Sequence, residues 1–242
     1  MSALPQDLDR AVARVRAHVG RDAATVSVGD IEVKDGILEA PITVENLTGH
    51  KLPTAYPSRR VWLHLTVRDG NGQPVFESGA LGADGKIAGN DNDADPARFE
   101  PHHVAIEKPD QVQIYESILG DSQGRVTTGL LQAVRYLKDN RILPTGFDKQ
   151  KAEADVAVHG EALPDPDFVD GSDRVRLRVP VGQGAAPFKV EAELLYQPIG
   201  FRWADNLRGI DAPEPRVFTR VYAALAAVSS QRVAYAERKT GP

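Results

Sequence analysis

With no cysteine among its 242 residues, this chain has its richest coordination chemistry in six histidines. Three of them, His50, His102 and His103, fall in stretches that read as loops beside glycine or proline. A neutral imidazole can ligate zinc, copper, nickel or haem iron. Three loop imidazoles with a carboxylate such as Glu100, Glu107 or Glu116 would suit a cupin-like metal centre. The spacing is not the simplest for that purpose. "EPHHVAIE" lacks the H-x-H step, and the adjacent His102 and His103 point to opposite faces of an extended chain. A lone loop histidine more often serves as a hydrogen-bonding residue.

Carboxylates and a serine offer other chemistry. In "DNDADPARFEPH" Asp91, Asp93 and Asp95 match the first three ligand positions of a calcium-binding loop. Pro96 then stands where that loop needs glycine, and His102 where it needs a bidentate glutamate. A solvated acidic loop is the simpler reading, and "DPDFVDGSD" (Asp165 to Asp173) is a second of similar merit. "GDSQG" matches the nucleophile-elbow pattern at Ser122, with His159 as base and Asp139 or Asp148 as third member. The same residues are ordinary hairpin-turn chemistry.

The stretch "NLTGHKLPTAYPSRR" (Asn46 to Arg60) joins two alternating apolar segments. Gly49 frees the backbone, while Pro53 and Pro57 fix φ and restrict Leu52 and Tyr56 before them. Arg59 and Arg60 here, and Asp139 and Arg141 in "KDNR", are expected to brace irregular loops, since a guanidinium ties down carbonyls or a carboxylate. The backbone around His50 is thereby stiffened. A site needs this if it is to offer an imidazole at a fixed angle, and so does a long connection with no function but stability.

The elements that must position these residues are mainly β. Leu8, Val12, Val15 and Val19 recur at helical spacing after Pro5, predicting a helix from Gln6 to Val19. The period then becomes two. Strands are expected at Ile31–Val33, Ile37–Val44, Val61–Val67, "PVFESG", Val112–Leu119, Val156–Val158, Val175–Val179, Val190–Leu194 and Val233–Tyr235. In the strand at Val61, the residues Trp62, His64, Thr66 and Arg68 take the other face. A long loop is expected over Ala80–Pro101, and helical insertions at Thr127–Leu137 and Pro213–Val228. The whole predicts an antiparallel β-sandwich, with a helical connector over residues 1–22 and the sandwich over 23–242.

Composition removes several function classes. A net charge of −5 with no basic run gives no electrostatic footprint for nucleic acid. No apolar run is long enough to span a bilayer, and the first residues lack a signal-peptide core. Without cysteine there is no thiolate metal site and no C-x-x-C-H haem attachment.

Taken together, "NLTGHKLPTAYPSRRVWLHLTVRD", "FESGA", "DGKIAGND", "FEPHH", "DQVQIYESILGDSQGRVTTGLLQAVRYLKDNRILPTGFDK", "DFVDGSDRV" and "LLYQPIGFRWADNL" resemble, in that order, the cysteine-free C-terminal region of a group of bacterial multihaem c-type cytochromes. The resemblance runs from about Ala23 to about Arg220. It implies a β-rich module that follows a haem-bearing segment, in a periplasmic or cell-surface electron-transfer system. It also implies haem supplied by a partner rather than bound covalently here. Function is therefore expected to be that of a non-catalytic accessory module. It would pack against a haem-bearing cytochrome segment or redox partner, with His50, His102 or His103 available as axial or metal ligand. The alternative is a metal-dependent enzyme of cupin-like or hydrolase type built on the loop histidines. A carbohydrate-binding sandwich would want exposed aromatics, and aromatic residues make up only 6 % of the chain.

Overall fold

The computed structural model of the protein describes residues 4–54, 56–182 and 184–241. Helix α1 (Pro5–His18) begins with a proline whose missing N–H costs nothing at that position. Asp7 lies in its first turn and Arg16 and His18 in its last, the signs that the helix dipole favours. A π-helical turn, Val19–Ala23, leads into the first strand.

Thirteen strands follow among the described residues. In chain order they begin β1 (Ala24–Val28), β2 (Glu32–Lys34), β3 (Ile37–Asn46), β4 (Arg60–Arg68) and β5 (Pro74–Ser78). A single helical turn, α2 (Asp91–Ala94), precedes β6 (Ala105–Ile106), β7 (Ile114–Tyr115), β8 (Ser117–Gly120), β9 (Val126–Thr127) and β10 (Arg135–Asp139). The long strands β11 (Ser172–Pro180) and β12 (Lys189–Gln197) come next, then α3 (Phe201–Asp205), α4 (Pro213–Leu225) and β13 (Gln231–Lys239).

Two sheets form the sandwich. One has the order β1-β3-β11-β6, with β2 also on β3. The other runs β13-β12-β4-β5, with β7 also on β4. All pairings are antiparallel except the two-residue contact of β6 with β11. A small third sheet, β10-β8-β9, stands beside them.

Alternation decides what the sandwich encloses. Leu38, Ala40, Ile42 and Val44 of β3 and Val175, Leu177 and Val179 of β11 are buried in one cluster with Val61, Leu63, Leu65 and Val67 of β4 and Val190, Ala192 and Leu194 of β12. At about 1.5–3 kcal/mol for each fully buried aliphatic side chain, this cluster is the main source of stability. The opposite face of β4 differs along its length. Trp62 is buried with Ile87, Val112 and Ile114 beneath the long connection after β5. His64 and Arg68, farther along, meet Glu77 and Glu191 at 2.9 and 2.6 Å.

Three expected elements take another form. The helix expected at Thr127–Leu137 is a hairpin connection with one tight turn at Gly129, and Arg135–Asp139 pairs with β8. Leu130, Leu131 and Val134 have helical spacing but no apolar surface to meet, and all three are exposed. The strand expected over Val112–Leu119 divides at Glu116, because β7 pairs with β4 while β8 joins the small sheet. Val156–Val158 forms no strand. The nearest pairing is a lone bridge between Asp139 and His159.

Trp62 is held through backbone as well as packing. Its Nε1–H donates to Gly79 O at 2.9 Å, and Gly79 has a φ of 80°. A Cβ there would come within 2.5 Å of Leu63 O. Gly79→Ala is therefore expected to cost about 2 kcal/mol or more, read as a lowered midpoint in urea unfolding.

Candidate functional site

The turn that carries His50 is built from Asn46, the last residue of β3. Its Oδ1 accepts from Thr48 N at 2.9 Å and Thr48 Oγ1 at 2.7 Å. Its Nδ2 donates to the carbonyls of His50 at 2.7 Å, Leu143 at 3.0 Å and Ile142 at 3.2 Å. Leu52 and Ile142 then exchange backbone hydrogen bonds of 2.9 and 2.8 Å. The His50 ring stands exposed at the tip. Its Nδ1 lies 3.0 Å from Lys51 O. A carbonyl can only accept, so this contact places a proton on Nδ1, which Thr48 Oγ1 also approaches at 3.2 Å. This is the tautomer an imidazole needs to ligate a metal or haem iron through Nε2, and the carbonyl contact fixes its orientation.

Lys51 and the "KDNR" segment lock this turn to the body. Lys51 Nζ reaches Asp139 Oδ2 at 2.9 Å and Ala157 O at 3.1 Å. Arg141 grips the same carboxylate at 2.8 and 2.7 Å. Burial alone would raise the Asp139 carboxyl, but hydrogen bonds and charge from Arg141 and Lys51 outweigh it and hold it below its ordinary value. At Lys51 burial wins, and the ammonium sits below its ordinary value despite Asp139. The two arginines at the start of β4, Arg59 and Arg60, do less for the turn. Arg59 bonds Thr54, whereas Arg60 turns inward to Gln197 Oε1 and Asp93 Oδ1, at 2.8 and 2.9 Å.

His102 lies at the centre of a second, fully buried network. Gln113 Nε2 and Asn140 Nδ2 stand 2.8 and 3.1 Å from its Nδ1. Both amides are oriented by backbone. Gln113 Oε1 accepts from His103 N, and Asn140 Oδ1 accepts from Glu116 N. Both therefore present N–H groups, so Nδ1 is the acceptor and Nε2 holds the proton. Nε2–H donates to Asp165 Oδ2 at 3.0 Å. Burial raises the Asp165 carboxyl, but the bonds from His102 and Asp167 N bring it below its ordinary value. Asp173 behaves in the opposite way. Burial pushes it up, and the hydrogen bonds from Tyr115 and Gln113 do not compensate. Both bonds, at 2.6 Å from Tyr115 and 3.0 Å from Gln113, end on Oδ2. Oδ1 has no partner among the described residues.

His102, Asp165 and Asp173 are the set of metal-ligand types whose donor atoms come within 4.8 Å of one another among the described residues. With Nε2 protonated, however, this imidazole has no free lone pair to give an ion. The arrangement is a buried hydrogen-bonded network tying the loop before β6 to β11. Lys149 closes it from outside by donating to Ala162 O at 3.1 Å and to Asp165 O.

The remaining expected residues have separate partners. His103 Nε2 meets Glu100 Oε1 at 2.6 Å. His50 does not join His102 and His103 in a common ligand set among the described residues. Asp91 pairs with Arg98 at 2.5 Å, Asp93 with Arg60, and Asp95 Oδ1 accepts from Ala97 N at 2.9 Å. These carboxylates fold their own loop and, through Asp93, fasten it to Arg60 of β4. Ser122 lies exposed in the β8–β9 turn, with no helix after it. Sequence reading missed Asn46, Gln113, Tyr115, Asn140 and Lys149. Only the amide-rich "KDNR" and "DQVQIY" hinted at them.

No family model and no curated protein matches this chain. A solved structure is similar to it in fold. That structure, the crystal structure of a penta-haem cytochrome c552 from Thermochromatium tepidum, superposes with a TM-score of 0.54 at 15 % identity over 93 % of this chain and 41 % of that one. The likeness is one of fold. The present chain spans about two fifths of that protein's length.

Two substitutions separate the networks. Asp139→Asn would leave Lys51 and Arg141 without their counter-charge, at a cost of about 3 kcal/mol at pH 7. Because the folded carboxyl lies below its ordinary value, the parent's advantage is present above about pH 4 and shrinks as pH falls further. Asp173→Asn has the opposite sign. The parent loses stability as pH rises above about 4 and through the raised Asp173 value, so the variant gains on it by about 1–3 kcal/mol towards pH 8. Urea titrations of both variants across pH read these differences.

Proposed function

We propose that this chain is a non-catalytic accessory module of an extracytoplasmic multihaem electron-transfer system, at the periplasm or cell surface. It packs against a haem-bearing cytochrome segment or redox partner and offers that partner the His50 imidazole. The observation that carries this reading is the fold match to a penta-haem cytochrome over 93 % of the chain. The ordered likeness of "NLTGHKLPTAYPSRR", "FEPHH" and "DFVDGSDRV" to the same class supports it. Without cysteine, the C-x-x-C-H attachment of haem falls to the partner.

Of the three histidines considered as ligands, His50 is the one suited to an external iron. Its ring is exposed and its Nδ1–H is anchored on Lys51 O. His102 is enclosed with both ring nitrogens engaged, and His103 is bound to Glu100. The separation of His50 from His102 and His103 also weighs against a metal-dependent enzyme using all three.

A ferric haem peptide with one axial imidazole and an open sixth position tests the ligand role. Titration with the protein should convert the peptide to a low-spin spectrum at least tenfold more tightly than free imidazole does. His50→Ala should abolish that advantage and His18→Ala should not. Equal behaviour of the parent and His50→Ala would remove the ligand role. The module reading is tested separately by sedimentation with multihaem cytochromes encoded by neighbouring genes, followed at the haem absorbance. Failure to co-sediment, or a stoichiometric transition metal in the purified protein, would count against it.

A further inference from the structure

Helix α1 is amphipathic, yet no residue of it is buried. Leu8, Val12 and Val15 are 55 %, 49 % and 61 % exposed. An apolar stripe of this kind on a soluble domain normally has something to cover it. The spacing of the stripe and the charges beside it indicate what that is. Leu8, Val12, Val15 and Val19 follow at intervals of four, three and four, the alternating d and a positions of a coiled-coil seam. Asp9 and Arg16 then occupy the e positions flanking the seam, and Ala11 and His18 the g positions.

We infer that α1 is a homodimerisation element that pairs antiparallel with the α1 of a second copy of this chain. In an antiparallel pair each e position faces the e position of the partner helix. The layers Val12 on Val15 and Val15 on Val12 form the centre. Asp9 of each copy then meets Arg16 of the other, making two equivalent ion pairs across the two-fold axis. A parallel pair would set e against g, where Asp9 and Arg16 meet only Ala11, His18 or residues before the helix, and gains no ion pair. Within one chain Asp9 and Arg16 have no ion-pair partner among the described residues. The pair inside α1 is Arg10 with Asp7, at 4.0 Å. Val19 packs on the sandwich core, so Leu8 would lie against the partner's π-helical turn. No strand of the sandwich is needed for the contact, so the two domains extend away from a shared seam. This inference does not depend on the role of His50.

Light scattering or sedimentation equilibrium over about 1–500 µM should show a mass rising from 26.2 kDa towards twice that value. Val12→Arg, at an exposed position, should leave the fold's circular dichroism intact and hold the protein monomeric. Asp9→Arg places two arginines opposite each other, and Arg16→Asp two aspartates. Each variant alone should dimerise about tenfold more weakly than the parent. An equimolar mixture restores opposite charges at both positions and should associate as well as the parent. A parent that stays monomeric throughout would overturn the inference and leave the stripe to another polypeptide. So would a dimer indifferent to Val12→Arg, or single variants that fail to complement on mixing.

Discussion

Buried side-chain amides that satisfy loop carbonyls hold the irregular half of this molecule to its sandwich. A buried carbonyl without a donor costs a large fraction of a domain's stability. The long connections after β3, β5 and β10 carry many such groups. Asn46 reaches three carbonyls in two separate loops. Asn140 bonds Glu116 N and Ile114 O, at the point where the chain leaves one sheet for another. Gln113 joins His103 N to Asp173. Gln113 and Asn140 are fixed by backbone on one side and orient His102 on the other. The loop packing and the protonation state of His102 are therefore one arrangement.

Charge follows the same logic. Asp139 is shared by Lys51 and Arg141, and Arg60 is enclosed with Asp93 and Gln197. Buried ion pairs add little net stability but are costly to break singly. They act here as fasteners between segments far apart in sequence, leaving the imidazole at the tip of the Asn46 turn as the outward-facing group.

The sandwich was legible because period two is written plainly into β3, β4, β11 and β12, and the two terminal helices because Pro5 and Pro213 mark their starts. The connection at Thr127–Leu137 misled because exposed Leu130, Leu131 and Val134 imitate a helical face, while strand pairing with β8 decides the backbone. The bracing of the His50 turn was expected, but from proline and arginine. The structure assigns most of it to Asn46 and Lys51, which reach carbonyls and a carboxylate about ninety residues or more away in the chain. Long-range hydrogen bonding leaves no periodic trace, so the buried network around His102 was legible only as a histidine and an acidic loop.

The two tryptophans sit in contrasting surroundings. Trp62 is sealed and donates to Gly79 O. Trp203 lies edge-on to Tyr56 at 5.5 Å, beside the connection that carries His50. The fold thus contains two optical reporters. Emission from the first follows the integrity of the interior, and emission from the second follows changes at that end of the molecule.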